Sequence, residues 1–268
     1  MSAGLSPARR LVVTVLVLAV VAVLATGGAL LLGRQSDAAG RQPVSLEEPG
    51  PVLLVPGYGG SASALQPLAD RLVAEGRDAT VVAVPGDGTG DLRESAEALA
   101  EAAGAALERT GAESVDVVGY SAGGVVARLW AAEGGADVAR RIVTLGSPHH
   151  GTTLADLAGS LAPDRCPEAC RQMSTRSALL AQLNAGDETP EGPTWVSIWT
   201  TQDRTVTPPE SARLEGALDL PVQSVCADAR VPHVDLPRAP LVQAIVLEQL
   251  RPGDPIPLGP EDCARLRG

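Results

Sequence analysis

The chain has 268 residues, 45% hydrophobic and 20% charged, enough to bury one sizeable core. Its 21 basic residues are all arginine, so Schiff-base, Ser-Lys and P-loop chemistry, each of which needs a lysine amine, are excluded. A net charge of -11 argues against a nucleic-acid partner, which would need a basic face.

At the N-terminus, Arg9 and Arg10 precede an uncharged, mostly apolar run from Leu11 to Gly33 that ends at Arg34. About 20 such residues suffice to cross a bilayer. Residues 1–34 therefore read as a signal or transmembrane anchor, with the paired arginines cytoplasmic and the rest of the chain outside. An uncleaved anchor fits the length of the run, and Ala25-Thr26-Gly27 offers a cleavage site if the segment is instead removed. Residues 35–50, with Pro43, Pro49 and scattered charge, read as a linker, and residues 51–268 as one catalytic domain with a C-terminal tail.

Beyond the linker, strand and helix signals alternate, the pattern of an α/β protein with a mostly parallel sheet of about six strands covered by helices on both faces. Val52–Val55 is the first strand and runs into Pro56-Gly57-Tyr58-Gly59-Gly60, after which Ser61 or Ser63 can cap a helix to Glu75. Ala79–Val84 is the second strand. Asp91 and Glu94 form a capping box for a long helix to Thr110, with Leu92, Ala96, Leu99, Ala103 and Leu107 on one face. Ser114–Val118 is the third strand, and a helix follows over Val125–Glu133. The fourth, fifth and sixth strands are expected at Arg141–Leu145, Thr194–Trp199 and Val222–Val225, with a last helix from Pro240 to Leu250. Between the fourth and fifth, Gly151–Gly192 is too long for a plain connection. It contains a helix signal at Ser177–Asn184 and reads either as a covering helix with a surface loop or as a rim or partial lid.

Cys166, Cys170, Cys226 and Cys263 all lie in the part expected outside the cell, where an even count implies disulfides. Three pairings can be drawn, and Cys166 with Cys170 plus Cys226 with Cys263 is the expected one. A zinc site is disfavoured because no histidine lies near Cys166 and Cys170 in sequence and the spacing is not a zinc-ribbon one. No metal is assigned.

Between the third strand and its helix stands Gly119-Tyr120-Ser121-Ala122-Gly123. The Gly-x-Ser-x-Gly pattern alone is weak in a chain with 29 glycines, but on a strand-to-helix elbow it places a serine at the carboxyl edge of a sheet. Such a serine needs a base, and the base needs an acid to fix its tautomer. Of three histidines, only His233 leaves room after Ser121 for an acid on an intervening strand end, and Asp203 is the first carboxylate past the fifth strand. Asp228 and Asp235 compete with it, both near His233 in sequence. The backbone N–H groups of Ala122 and Tyr58 are the candidate oxyanion donors.

Together Gly119–Gly123, Gly57-Tyr58-Gly59-Gly60, Gly146-Ser147-Pro148-His149-His150-Gly151-Thr152 and the ordered Asp203 and His233 resemble the bacterial secreted lipases and esterases of the α/β-hydrolase family, particularly the small forms without a large cap. The resemblance covers roughly Val52 to Leu250. It implies an exported ester hydrolase acting on a small-molecule or lipid ester without a cofactor, with His149 and His150 shaping the pocket wall. Those lipases usually carry His-Gly at the oxyanion turn, where this chain has Pro56-Gly57, a departure that leaves a backbone donor intact. An acyltransferase with the same triad is the alternative, and a non-catalytic domain on the same scaffold a more distant one.

Overall fold

The computed structural model describes residues 44–268. The apolar run of residues 11–33 and the first part of the expected linker lie outside them; among the described residues no helix is long and apolar enough to cross a membrane.

Six strands form one sheet: β1 (Val52–Val55), β2 (Ala79–Val81), β3 (Val115–Tyr120), β4 (Ala139–Leu145), β5 (Thr194–Trp199) and β6 (Leu218–Pro221). Their order is β2-β1-β3-β4-β5-β6, and every neighbouring pair is parallel. Because strand side chains alternate, β1 feeds two cores. Val52 and Leu54 pack with Leu65, Leu68 and Leu72 of α1 (Ala62–Ala74) and with Val242, Ile245 and Val246 from a helix at Pro240–Gln249. Leu53 and Val55 face the other way, against Leu99 and Ala103 of α2 (Leu92–Thr110) and Val125 and Val126 of α3 (Ala122–Ala132). With both faces covered, the central strands are buried throughout. Asp91 caps α2, its carboxylate accepting from the Arg93 N–H at 2.9 Å, while the reciprocal Glu94 bond of the expected capping box is not formed.

The long segment after β4 holds three helices rather than one: α4 (Thr153–Leu161), α5 (Glu168–Gln172) and α6 (Ala178–Leu183). The sixth strand also differs from expectation. Val222–Val225 is a single helical turn, α7, and the strand is the preceding Leu218–Pro221, paired with Val196–Trp199. Val222 and Val225 are spaced by one helical turn and both buried, so their β-branched chemistry serves a helix that starts at Pro221. The Pro240–Gln249 helix, α8, ends where expected, and the tail closes with a short helix, α9 (Cys263–Arg267).

At the N-terminal edge of the sheet lies a charged knot in which Asp116 and Arg140 are fully buried and Arg77 is partly so. Asp116 accepts from Arg140 Nε at 2.8 Å and Nη2 at 2.6 Å and from Arg77 Nη2 at 2.7 Å. Arg140 donates onward to the carbonyls of Leu250, Arg251 and Leu46, so residues just past α8 and just before β1 are tied to the same point.

Candidate active site

β1 and β3 are adjacent while β2 lies outside β1, so the strand order reverses between them. The turns after these two strands meet at their carboxyl ends, where open α/β sheets bind ligands. The turn after β3 carries Ser121 at φ 53°, ψ −122°, a non-glycine residue in a backbone region that costs about 1–3 kcal/mol. The flanking glycines allow it: a Cβ on Gly123 would stand 2.2 Å from the Val55 carbonyl oxygen, and one on Gly119 would stand 2.6 Å from the Gly123 oxygen. The Ser121 N–H donates to the Leu145 carbonyl at 2.8 Å, locking the elbow to β4.

His233 opens a 3-10 turn after Pro232 and reaches over the sheet edge. Its Nε2 lies 3.0 Å from Ser121 Oγ and its Nδ1 2.7 Å from Asp203 Oδ2. An ionised carboxylate can only accept, so Nδ1 carries a proton and Nε2 faces the serine hydroxyl as acceptor. The other Asp203 oxygen accepts the Thr205 and Val206 N–H groups, each at 2.8 Å, which fixes the carboxylate at the end of β5. All three side chains are buried. The competing Asp228 instead pairs with Arg267 at 2.7 Å, and the imidazole has no bond to Asp235.

Two further residues shape this group without having been singled out from the sequence. The Tyr120 ring packs 5.3 Å from the His233 ring, and its hydroxyl donates to the His233 carbonyl at 3.3 Å. Burial, aided by the nearby Asp203 charge, pushes that phenol up to about 12, so it stays a donor at neutral pH. Gly146, at φ 56°, leaves the space the pair needs: a Cβ there would meet Leu236 Cδ1 at 2.5 Å and His233 Nδ1 at 3.2 Å. Its signal was a glycine directly after an apolar strand.

Tyr58 lies in the turn after β1 and Ala122 begins α3. Among the described residues neither N–H donates to a protein acceptor. Beside Ser121 opens a cavity of about 250 Å3, mostly apolar, walled by Tyr58, Pro148, Leu154, Ala155, Ala158, Met173 and Val206. Helix α4 and the residues after α5 thus form one side of it, and Cys170 of the Cys166–Cys170 disulfide joins them. The second disulfide joins Cys226 and Cys263, completing the expected pairing.

His149 and His150 do not line this cavity, contrary to the expectation for the pocket wall; Pro148 does. His149 turns inward, its Nε2 3.1 Å from Thr144 Oγ1, and burial with Arg128 nearby holds its pKa well below the usual histidine value. His150 turns outward to Glu188, Nε2 to Oε1 at 2.8 Å. The larger cavity of about 640 Å3 lies around Arg77 and Leu250 at the opposite sheet edge, away from Ser121.

Residues 50–166 match the family model described as alpha/beta hydrolase fold. The chain has the α/β-hydrolase fold. Lipase B of Aspergillus fumigatus is similar in structure at a TM-score of 0.64 and 20% identity, over 84% of this chain and 62% of the fungal one. The mature form of the Bacillus licheniformis lipase BlEst2 is similar at a TM-score of 0.63 and 22% identity, over 78% of this chain and 96% of that one. Its propeptide form matches at a TM-score of 0.63 and 21% identity, over 81% and 55% of the two chains. This chain therefore spans less than two thirds of the fungal lipase and of the propeptide form. Among curated proteins no sequence matches it.

Proposed function

We propose that the protein is an extracytoplasmic carboxylic ester hydrolase of the lipase/esterase type, with Ser121 as nucleophile, His233 as general base and then acid, and Asp203 as the group that orients His233. The observation that carries this reading is the unbroken chain Ser121 Oγ, His233 Nε2, His233 Nδ1, Asp203 Oδ2, with links of 3.0 and 2.7 Å. Ser121 attacks the ester carbonyl as its proton passes to His233. The carbonyl oxygen, now negative, is held by the Tyr58 and Ala122 N–H groups, the latter at the positive end of α3. His233 returns the proton to the leaving alcohol, and water then releases the acyl group by the same route. The apolar cavity beside Ser121 suits the acyl chain. Leu154, which lines the cavity, is exposed together with Leu157 and Leu161 along one side of α4, which favours an aliphatic or lipidic ester over a polar one. The two disulfides and the N-terminal apolar run, whether kept as an anchor or cleaved, support placement outside the cell.

The test is hydrolysis of short- and long-chain p-nitrophenyl esters by the full chain and by Ser121→Ala, Asp203→Ala and His233→Ala proteins with unchanged circular dichroism. The expected result is turnover by the wild type and a fall in all three variants of about 10³-fold or more. A folded wild type that cleaves no ester sinks the reading.

A further inference from the structure

A second cavity, of about 440 Å3, is lined by Gln202, Arg204, Thr205, Arg230, Pro232, His233 and Val234. Thr205 lines both this cavity and the apolar one, so the two are neighbours, one lined by Ser121 and the other by His233. An ester whose carbonyl sits at Ser121 Oγ and whose acyl chain fills the first cavity must send its alcohol half elsewhere, and the second cavity is next to the group that protonates that alcohol.

The lining of this second cavity is cationic. Several other surface arginines meet carboxylates: Arg109 with Asp78, Arg171 with Glu168, Arg265 with Glu248. Among the described residues the Arg204 and Arg230 guanidinium groups have no hydrogen-bond or ion-pair partner, and no carboxylate lines their cavity apart from them. Arg230 also acts electrostatically on Asp228, which is already bound in bidentate fashion by Arg267. Two unpaired guanidiniums at one mouth are unusual in a chain of net charge −11, which would otherwise repel an anion.

Both arginines are also held at fixed places relative to the reacting groups. Arg204 sits at the tip of the turn that Asp203 closes through the Thr205 and Val206 N–H groups. Arg230 stands three residues before His233. Gln202 ties the two loops together, its Nε2 donating to the Ala229 carbonyl at 3.0 Å and its Oε1 accepting the Val231 N–H at 3.2 Å, one bond on each side of Arg230.

We infer that the preferred ester carries a phosphate on its alcohol half, and that Arg204 and Arg230 bind this phosphate in the cavity beside His233. Guanidinium forks match phosphate oxygens in geometry and charge. The inference rests on the ester-hydrolase reading and names its substrate class. In the step it describes, Ser121 Oγ bonds to the acyl carbon, the ester C–O bond breaks, and the proton taken by His233 Nε2 goes to the departing alkoxide, which leaves as a phosphate-bearing alcohol. Water then cleaves the acyl-enzyme.

The test compares kcat/KM of the full chain on octanoyl glycerol and octanoyl glycerol phosphate, which share acyl chain and alcohol and differ in the charge. The wild type is expected to favour the phosphate ester by about tenfold, less as ionic strength rises. Arg204→Gln with Arg230→Gln abolishes that preference and leaves the neutral ester unchanged, while Arg204→Lys with Arg230→Lys keeps part of it. Arg71→Gln, an arginine at the opposite cavity, leaves it intact. Equal wild-type rates on the two esters, a preference that survives the double Gln change, or one that disappears with Arg165→Gln alone at the rim of the acyl cavity overturns the assignment. Cleavage of the neutral ester without preference defeats only this inference; cleavage of neither ester by folded protein defeats the hydrolase reading and this one with it.

Discussion

Asp203 uses both carboxylate oxygens, one for two backbone N–H groups and one for His233 Nδ1. Asp203→Asn keeps the first set but turns an amide N–H₂ toward His233, which then must present Nδ1 as acceptor and Nε2–H to the serine. In the proposed triad the serine would lose its base without losing its geometry. Esterase kcat is expected to fall by about 10⁴-fold with thermal stability nearly unchanged, as read by steady-state kinetics beside a melting curve. A fall of less than tenfold would move the orienting role to another group. His149 gives a prediction of a different kind. Its folded pKa lies well below the ordinary 6.5 because burial and Arg128 disfavour the cation. The unfolded state therefore takes up a proton that the folded state resists, so stability is complete above about pH 6.5 and is lost as pH falls, by up to about 1.4 kcal/mol per pH unit. Urea midpoints between pH 7 and pH 5 should fall more steeply for the wild type than for His149→Gln; parallel slopes would mean that His149 is not the source. The meeting of Ser121, Asp203 and His233 was legible because the expected chemistry calls for those residue types in that chain order. Tyr120 and Gly146 were not, because one fills an unconstrained position of the motif and the other matters only through the space it leaves beside a residue 87 positions later.

Elements were legible where a periodic apolar face coincided with a terminator. β5 falls on its expected residues, and α2 runs from its Asp91 cap to Thr110. β6 was misplaced by four residues because Leu218-Asp219-Leu220-Pro221 carries little β-branched character while Val222 and Val225 carry much of it. The segment after β4 was harder still, since its helices α4, α5 and α6 are short and held by tertiary contacts. Arg128, buried on α3, supplies some of those contacts. Its guanidinium donates to Asn184 Oδ1 at 2.9 Å, the Glu188 carbonyl at 3.1 Å and the Leu183 carbonyl at 3.3 Å. Burial lowers its pKa to about 10, so it remains charged at neutral pH. Asn184 in turn donates to the His149 carbonyl at 3.0 Å, linking α6 to the loop that follows β4. Arg128→Leu strands these acceptors in the interior and should lower stability by about 3 kcal/mol in chemical denaturation. It should also raise protease cleavage within residues 178–190 before global unfolding; cleavage at unchanged rate would show that α6 does not depend on this arginine.

Over the whole molecule, the two edges of the sheet have separate work. The carboxyl ends of β3, β4 and β5 hold Ser121, Gly146 and Asp203, while the amino ends hold the knot of Asp116, Arg140 and Arg77. β3 joins the two, with Asp116 and Ser121 five residues apart, or about 16 Å along an extended strand. That distance makes the knot a test of how stability and chemistry divide. Asp116→Asn would leave two guanidinium groups with a neutral partner in the protein interior, one of them, Arg140, fully buried. Removing one member of a buried ion group typically costs about 3–5 kcal/mol, because the remaining charge stays desolvated and uncompensated. In a domain of this size that corresponds to a melting temperature lower by roughly 10 °C, since each kcal/mol moves it by about 2–4 °C. Residues around Leu46 and Leu250, whose carbonyls Arg140 holds, should lose hydrogen-exchange protection first. At a temperature where the variant is fully folded, its kcat/KM on a p-nitrophenyl ester should equal that of the wild type. A loss of activity in step with the lost stability would instead mean that β3 transmits strain from its buried charge to the serine at its other end.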